Sequence, residues 1–238
     1  MSTYGAHAAI CIRFYELTND WNQIGPFVYM KSRSKPNDRS LFVGSFFEVA
    51  QFLFSKGLDL TVVDYSDEMV EAGRSKLPDV KMKTADLRSL PFENEFDSIF
   101  VIGRVFTHMI SEDDLRLALT SCRRALKKDG RFFFDNYEDS RIQHTSYFNG
   151  AKRCGSSDST IERTSSTAKE SDKPFIVRWN ATYTGTFQGE NFSFSDSMLH
   201  RAFSRNEIAA LLPEFGFETM EQGNNFDETS FYTLARAR

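Results

Sequence analysis

Two acids and one glycine, set at telling distances, carry the strongest chemical signal in this chain. Gly44 follows a short apolar run, Leu41 to Val43, and Asp64 closes a second run, Leu60 to Val63. An acid about 20 residues past a glycine turn, at the end of the next strand, is the spacing a nucleotide-type cofactor requires. Glycine lets the backbone come close, and an ionised carboxylate offers two acceptor oxygens to a pair of hydroxyls. Asp86 is a second acid, placed just after a third apolar stretch. Further along, His108 is the right type for a general base, and His144 and His200, which fall in or near a later β-rich segment, are candidate substrate contacts.

The elements that must position these residues follow from periodicity. Phe46, Val49, Ala50 and Leu53 fall at helical spacing after the first strand, so Gly44 lies at a strand-to-helix turn. Ser66 caps a second helix whose first turn is acidic, and Pro78 closes it. Val80 to Thr84 reads as a third strand and Phe96 to Ile102 as a fourth. Ser111 to Lys127 reads as a helix with acids in its first turn and bases at its end, stopped by Gly130, and RFFFD at 131 to 135 as a buried fifth strand. Strands alternating with helices predict a parallel sheet covered on both faces. From Gly150 to Pro174 the chain is rich in Ser, Thr and charge, which predicts mobile loop or edge strand. Phe175 to Tyr183 then alternates apolar and polar, and Asn191 to Phe203 returns after a turn at 188 to 190. This hairpin predicts a small antiparallel sheet beside the main one. Ser204 and Glu207 form a capping box for a last helix ended by Gly216, with Pro213 loosening its final turn, and Phe231 to Ala235 is a final strand.

Bulk properties narrow the class. The chain has 238 residues, 40% hydrophobic and 26% charged, with a formal net charge of -4 and no long block of one sign, so a nucleic-acid partner is not indicated. Its 24 Phe residues predict an aromatic-rich core. Cys11, Cys122 and Cys154 are widely spaced and odd in number, which supports neither a disulfide framework nor a zinc site. No stretch approaches a membrane span and no basic-then-apolar leader opens the sequence, so a cytoplasmic location and no membrane partner are the expectation. One domain, 1–238, is expected, with 143–203 as a β-rich insertion or lid.

From Asp64 to Asp135 the motifs stand in a recognisable order: DYSDEM, then ADL, then a Pro-Phe and a Phe-Asp pair, then RFFFD. In this combination the chain resembles the class I S-adenosylmethionine-dependent methyltransferases, and within them the small-molecule, sugar N-methyltransferase-like group with a hairpin insertion before the last helix. The resemblance implies an α/β Rossmann-like methyltransferase fold, a mostly parallel seven-stranded sheet with helices on both faces and a small antiparallel β insertion. It implies S-adenosylmethionine as cofactor and methyl transfer to an O or N atom of a small molecule. Gly44 takes the glycine turn. Asp64 accepts both ribose hydroxyls, Tyr65 and Met69 flank the adenine, and Asp86 accepts the adenine amino group with the Leu87 backbone nearby. Gly103 and Arg104 lie at the rim where donor and acceptor meet, and Tyr15, in FYEL, matches an N-terminal aromatic that closes over the cofactor. Trp179, Tyr183, His200 and Arg201 are candidate substrate contacts beneath the insertion. A homodimer is compatible with this reading.

The glycine turn departs from the family. Phe42 stands where the family has an acid, and Phe46 and Glu48 replace two glycines, so that Phe46 is placed to occupy the room of the methionine moiety or of adenosine. This motivates an alternative: a methyltransferase fold that no longer binds S-adenosylmethionine and acts as a cyclase or isomerase-type enzyme, or as a non-catalytic binding protein. A nicotinamide-dependent oxidoreductase would share the acid at the second strand, but GxGxxG is missing. An Asp/Asn-Pro-Pro-Tyr motif after the fourth strand, used in amino methylation of nucleobases, is missing too.

Overall fold

The computed structural model describes residues 7–142 and 149–238, so His144 lies outside the described residues. Two helices open the chain, α1 (Ala8–Thr18) and α2 (Trp21–Ser32). An alternating series follows: β1 (Arg39–Val43), α3 (Phe47–Ser55), β2 (Asp59–Asp64), α4 (Asp67–Lys76), β3 (Lys81–Thr84), β4 (Phe96–Val101), α5 (Glu112–Ala125) and β5 (Leu126–Tyr137). After the short α6 (Asp139–Ile142) come four strands, β6 (Gly150–Gly155), β7 (Ser159–Asp172), β8 (Phe175–Phe187) and β9 (Glu190–Arg201). The chain ends in α7 (Arg205–Leu211), β10 (Phe217–Asn224) and β11 (Ser230–Ala237).

The main sheet has the order β10-β11-β5-β4-β1-β2-β3, and β11 alone runs antiparallel to its neighbours. Because β1 pairs with both β2 and β4, the chain order reverses there, and a crevice opens beyond the ends of these two strands. Strand alternation sends side chains to two faces. Leu41, Val43, Phe132 and Phe134 pack towards α5 and α7, while Phe42, Phe100 and Phe133 pack towards α2 and α3. The expected abundance of Phe in the core is thus met in both layers. A third cluster joins α1 to the inner face of the small sheet through Phe14, Trp179, Ala181 and Tyr183.

Three details differ from the sequence reading. The Ser/Thr-rich stretch is not loop: β6 is the edge of a four-stranded antiparallel sheet, and β7 lies inside it, paired with β8 from Ser159–Phe187 to Asp172–Phe175. Its inward positions Ile161 and Ser165 are buried while Thr160, Thr164 and Ser166 face out, a polar strand held by its partners rather than by its own hydrophobicity. Gly130 does not stop a helix. α5 ends at Ala125 with an extended Leu126, and residues 127 to 130 form an excursion within β5, where a side chain at Gly130 would come within 2.9 Å of Leu126 and of the Lys127 carbonyl. β10 is an added edge strand whose polar run ETMEQGN hides its pairing with β11. At the last helix Ser204 caps as expected, its Oγ accepting the Glu207 N–H at 3.0 Å. The Glu207 carboxylate does not return to Ser204 among the described residues and instead pairs with Arg201 at 2.8 Å.

Candidate functional site

Asp64 sits at the tip of β2, on the flank of the crevice. Its Oδ1 accepts the Ser66 N–H at 2.9 Å, and Ser66 Oγ in turn caps α4 by accepting the Met69 N–H at 3.2 Å. Burial pushes the Asp64 carboxyl up to about 6, and backbone N–H groups only partly offset that. A half-buried acid held by backbone donors without a cation has acceptor capacity suited to hydroxyls. Met69 is buried beside it, and Tyr65 stands at the surface, 72% exposed. Asp86 caps the short turn Leu87–Ser89, and its carboxylate is gripped by Arg88, whose Nη2 lies 2.6 Å from Oδ2. That guanidinium holds the Asp86 carboxyl below its usual range. Arg88 also reaches Asp114 at 2.7 Å, so Asp86 is tied into an ion network on the α5 side.

The glycine turn explains its own departures. Gly44 has φ 110°, and a side chain there would meet Val105 at 2.9 Å and the Ile102 carbonyl at 3.1 Å, so only glycine fits. Phe42 is buried against Phe100 in the sheet core and presents no charge to the crevice. Glu48 turns to Lys76 on α4 at 2.6 Å, and Lys76 also pairs with Glu16 of α1. Phe46 carries the largest consequence. Its ring lies 3.1–3.4 Å from where a side chain on Gly103 would begin, and it is flanked edge-on by Trp21 at 5.3 Å and by Tyr15 at 6.2 Å. Phe46 therefore lies on the β4 side of the switch point, against Gly103.

At the rim, Arg104 is left-handed (φ 63°), and its N–H donates to Asp135 Oδ1 at 2.7 Å. Its guanidinium pairs with Asp227 and lies over Tyr137 and Phe226. Asn225 Nδ2 donates to Asp135 Oδ2 at 2.9 Å. Asp135 and Asp227, neither singled out from sequence, thus fix the loop that carries Gly103. The visible signal for Asp135 was its place at the end of RFFFD.

Beneath the small sheet, His200 Nδ1 meets Thr107 Oγ1 at 3.0 Å, with the His108 ring centre 5.1 Å away and Trp179 edge-on at 6.3 Å. His108 is exposed at the edge of this cluster, and the protein packed around it lowers its pKa by desolvation. Burial, then the neighbouring His108, pushes His200 well below its ordinary value. Tyr183 is buried between Phe14 and Phe194. Two further inner-face residues, Arg163, whose guanidinium lies over Phe14 and Trp179, and Asp196, close to His108, went unread because β7 and its pairing were unread. Arg201 does not join the cluster: next to His200 on β9 it faces the other way, where Nη2 bridges Glu112 at 2.6 Å and Glu207 at 2.8 Å. Of the expected substrate contacts, Trp179, Tyr183 and His200 are brought together and Arg201 is not.

Comparison with known proteins agrees with this geometry. Residues 46–130 match the methyltransferase domain family. A glycine/sarcosine N-methyltransferase from Aphanothece halophytica is 32% identical over 111 residues, 41% of this chain and 42% of that protein, so the match spans less than half of either. An S-adenosylmethionine-dependent methyltransferase from Clostridium acetobutylicum superposes with TM-score 0.78 at 17% identity, covering 98% of each chain. A sugar N-methyltransferase from Streptoalloteichus sp superposes with TM-score 0.74 at 19% identity, covering 92% of this chain and 89% of that one. The chain has the class I methyltransferase fold, as its motifs led us to expect. Tested against S-adenosylmethionine, the residues fit at the ribose end, where Asp64 is ready. At the methionyl end Phe46 lies against Gly103, and Phe42 supplies no acid.

Proposed function

We propose that this chain, built on the class I methyltransferase fold, transfers a methyl group from S-adenosylmethionine to an N or O atom of a small molecule. The observation that carries this is Asp64, a half-buried carboxylate with no cation partner at the tip of β2, next to the switch point of a sheet with the methyltransferase strand order. The family match over residues 46–130 and the sugar and glycine/sarcosine N-methyltransferase relatives support a small acceptor. The sulfonium of the cofactor supplies an activated methyl group, so the protein's task is chiefly orientation. An acceptor would lie against the exposed His108 at the edge of the small sheet, beside His200 and Trp179. His108 is held neutral by desolvation at pH 7, so its ring nitrogen is able to take a proton from the acceptor. Isothermal titration with S-adenosylmethionine and S-adenosylhomocysteine tests the reading, with saturable binding that Asp64→Ala abolishes as the expected result.

A second reading has one specific observation behind it. The Phe46 ring over Gly103 favours a fold that has left S-adenosylmethionine behind and works as a cyclase, isomerase or binding protein. Absence of heat with both ligands at millimolar concentration selects it.

A further inference from the structure

Phe46 and Asp64 divide the crevice. On the β2 side Asp64 is ready for a ribose, Met69 forms the buried floor and Tyr65 stands free at the surface. On the β1–β4 side Phe46 lies against Gly103, held from outside by Tyr15 of α1 and Trp21 of α2. Two positions beside the turn offer no free charge to a ligand's amino-acid end. Glu48 is paired with Lys76, and the acid expected two residues before Gly44 is Phe42, buried in the sheet core.

We propose that Phe46 is a specificity-determining residue that makes this a site for adenosines with a short uncharged 5′ group, and a poor one for adenosines carrying an α-amino acid. The idea rests only on the adenosyl-binding part of the proposed function and belongs with its second reading, in which S-adenosylmethionine is not the ligand. A nucleoside anchored at Asp64 needs only the β2 side and leaves Phe46 where it is. An amino-acid tail must pass Gly103 and turn Phe46 out of its contacts with Tyr15 and Trp21. Because only the turned-out fraction of the protein can bind such a tail, its apparent affinity drops by that fraction. Exposing a buried Phe ring sets the loss at roughly ten- to a hundredfold.

The test compares 5′-methylthioadenosine with S-adenosylhomocysteine by isothermal titration on the full chain. With the wild type we expect methylthioadenosine to bind at least tenfold more tightly. Phe46→Ala is expected to tighten S-adenosylhomocysteine about tenfold and to leave methylthioadenosine within threefold. The wild-type comparison needs no variant, so it stands if Phe46→Ala folds poorly; Phe46→Val, which keeps part of the apolar contact, is the fallback and should move in the same direction. Equal or tighter wild-type binding of S-adenosylhomocysteine overturns this inference and leaves the proposed function intact. Binding of neither ligand, by wild type or variant, overturns both.

Discussion

Asp64 gives the sharpest prediction at the level of single residues, because burial works against it in one state and for it in another. Its folded pKa is raised from 3.8 to about 6, so between these values the folded chain holds more protons than the unfolded one, and stability falls as pH rises from about 4 to about 6. Above that the ionised, desolvated carboxylate is a standing cost of at most about 3 kcal/mol. Asp64→Asn should therefore raise the melting temperature at pH 7.5 while weakening any ribose-bearing ligand at least tenfold, since an amide accepts at only one of its two ends. A lower melting temperature in calorimetry would show that Asp64 is held by contacts stronger than those from Ser66. Ligand affinity should also weaken as pH drops through about 6, because the protonated acid is a poorer acceptor. Gly44 is the companion case. Gly44→Ala forces a side chain into Val105 and the Ile102 carbonyl at a positive φ, and should cost about 2 kcal/mol or more in denaturant unfolding.

Among elements, α1 does the joining. Phe14 packs edge-on against Tyr183 of β8 and under the Arg163 guanidinium of β7, while its neighbour Tyr15 faces Phe46 at the crevice. Phe14→Ala should cost about 3–5 kcal/mol if the gap stays open. Hydrogen exchange should rise in α1 and along β8 while β1 and β4 stay protected; uniform loss of protection across the main sheet would mean that α1 is integral to the Rossmann core. The element scale also shows what could be read from sequence. β1, β2, β4 and β5 were legible because their apolar runs end at charged or glycine punctuation, and Asp64 and Gly44 came with them. β7 and β10 were not, since their residues are polar and their stability comes from cross-strand partners far along the chain. Without the β7–β8 pairing, Arg163 and its neighbours on the inner face have no place, and the register of β9 decides that Arg201 turns to Glu112 and Glu207 and not to the histidines. That Phe46 would lie against Gly103 depends on packing between α1, α2 and the β4 rim, which local pattern does not encode.

The two sheets of the whole molecule meet at a pair of histidines, and this sets how the fold should respond to acid. His108 and His200 are both shifted down, so below about pH 6.5 the unfolded chain takes up protons that the folded one refuses. Stability from this pair is fully present above that pH and is lost as pH falls, opposite in sign to the Asp64 effect. Because both rings lie where the small sheet covers the β4 rim, protonating them charges that junction directly. The junction should yield first. Trp179 beside His200 and Trp21 beside Phe46 report the two regions separately, so Trp21→Phe leaves a reporter at the junction alone. Taking that variant from pH 7 to pH 5 should red-shift Trp179 emission before far-ultraviolet circular dichroism changes. His200→Gln, whose amide can still meet Thr107, should delay the shift to lower pH. If emission and circular dichroism move together, and His200→Gln leaves both unchanged, the two sheets unfold as one unit and the acid response belongs to carboxylates elsewhere.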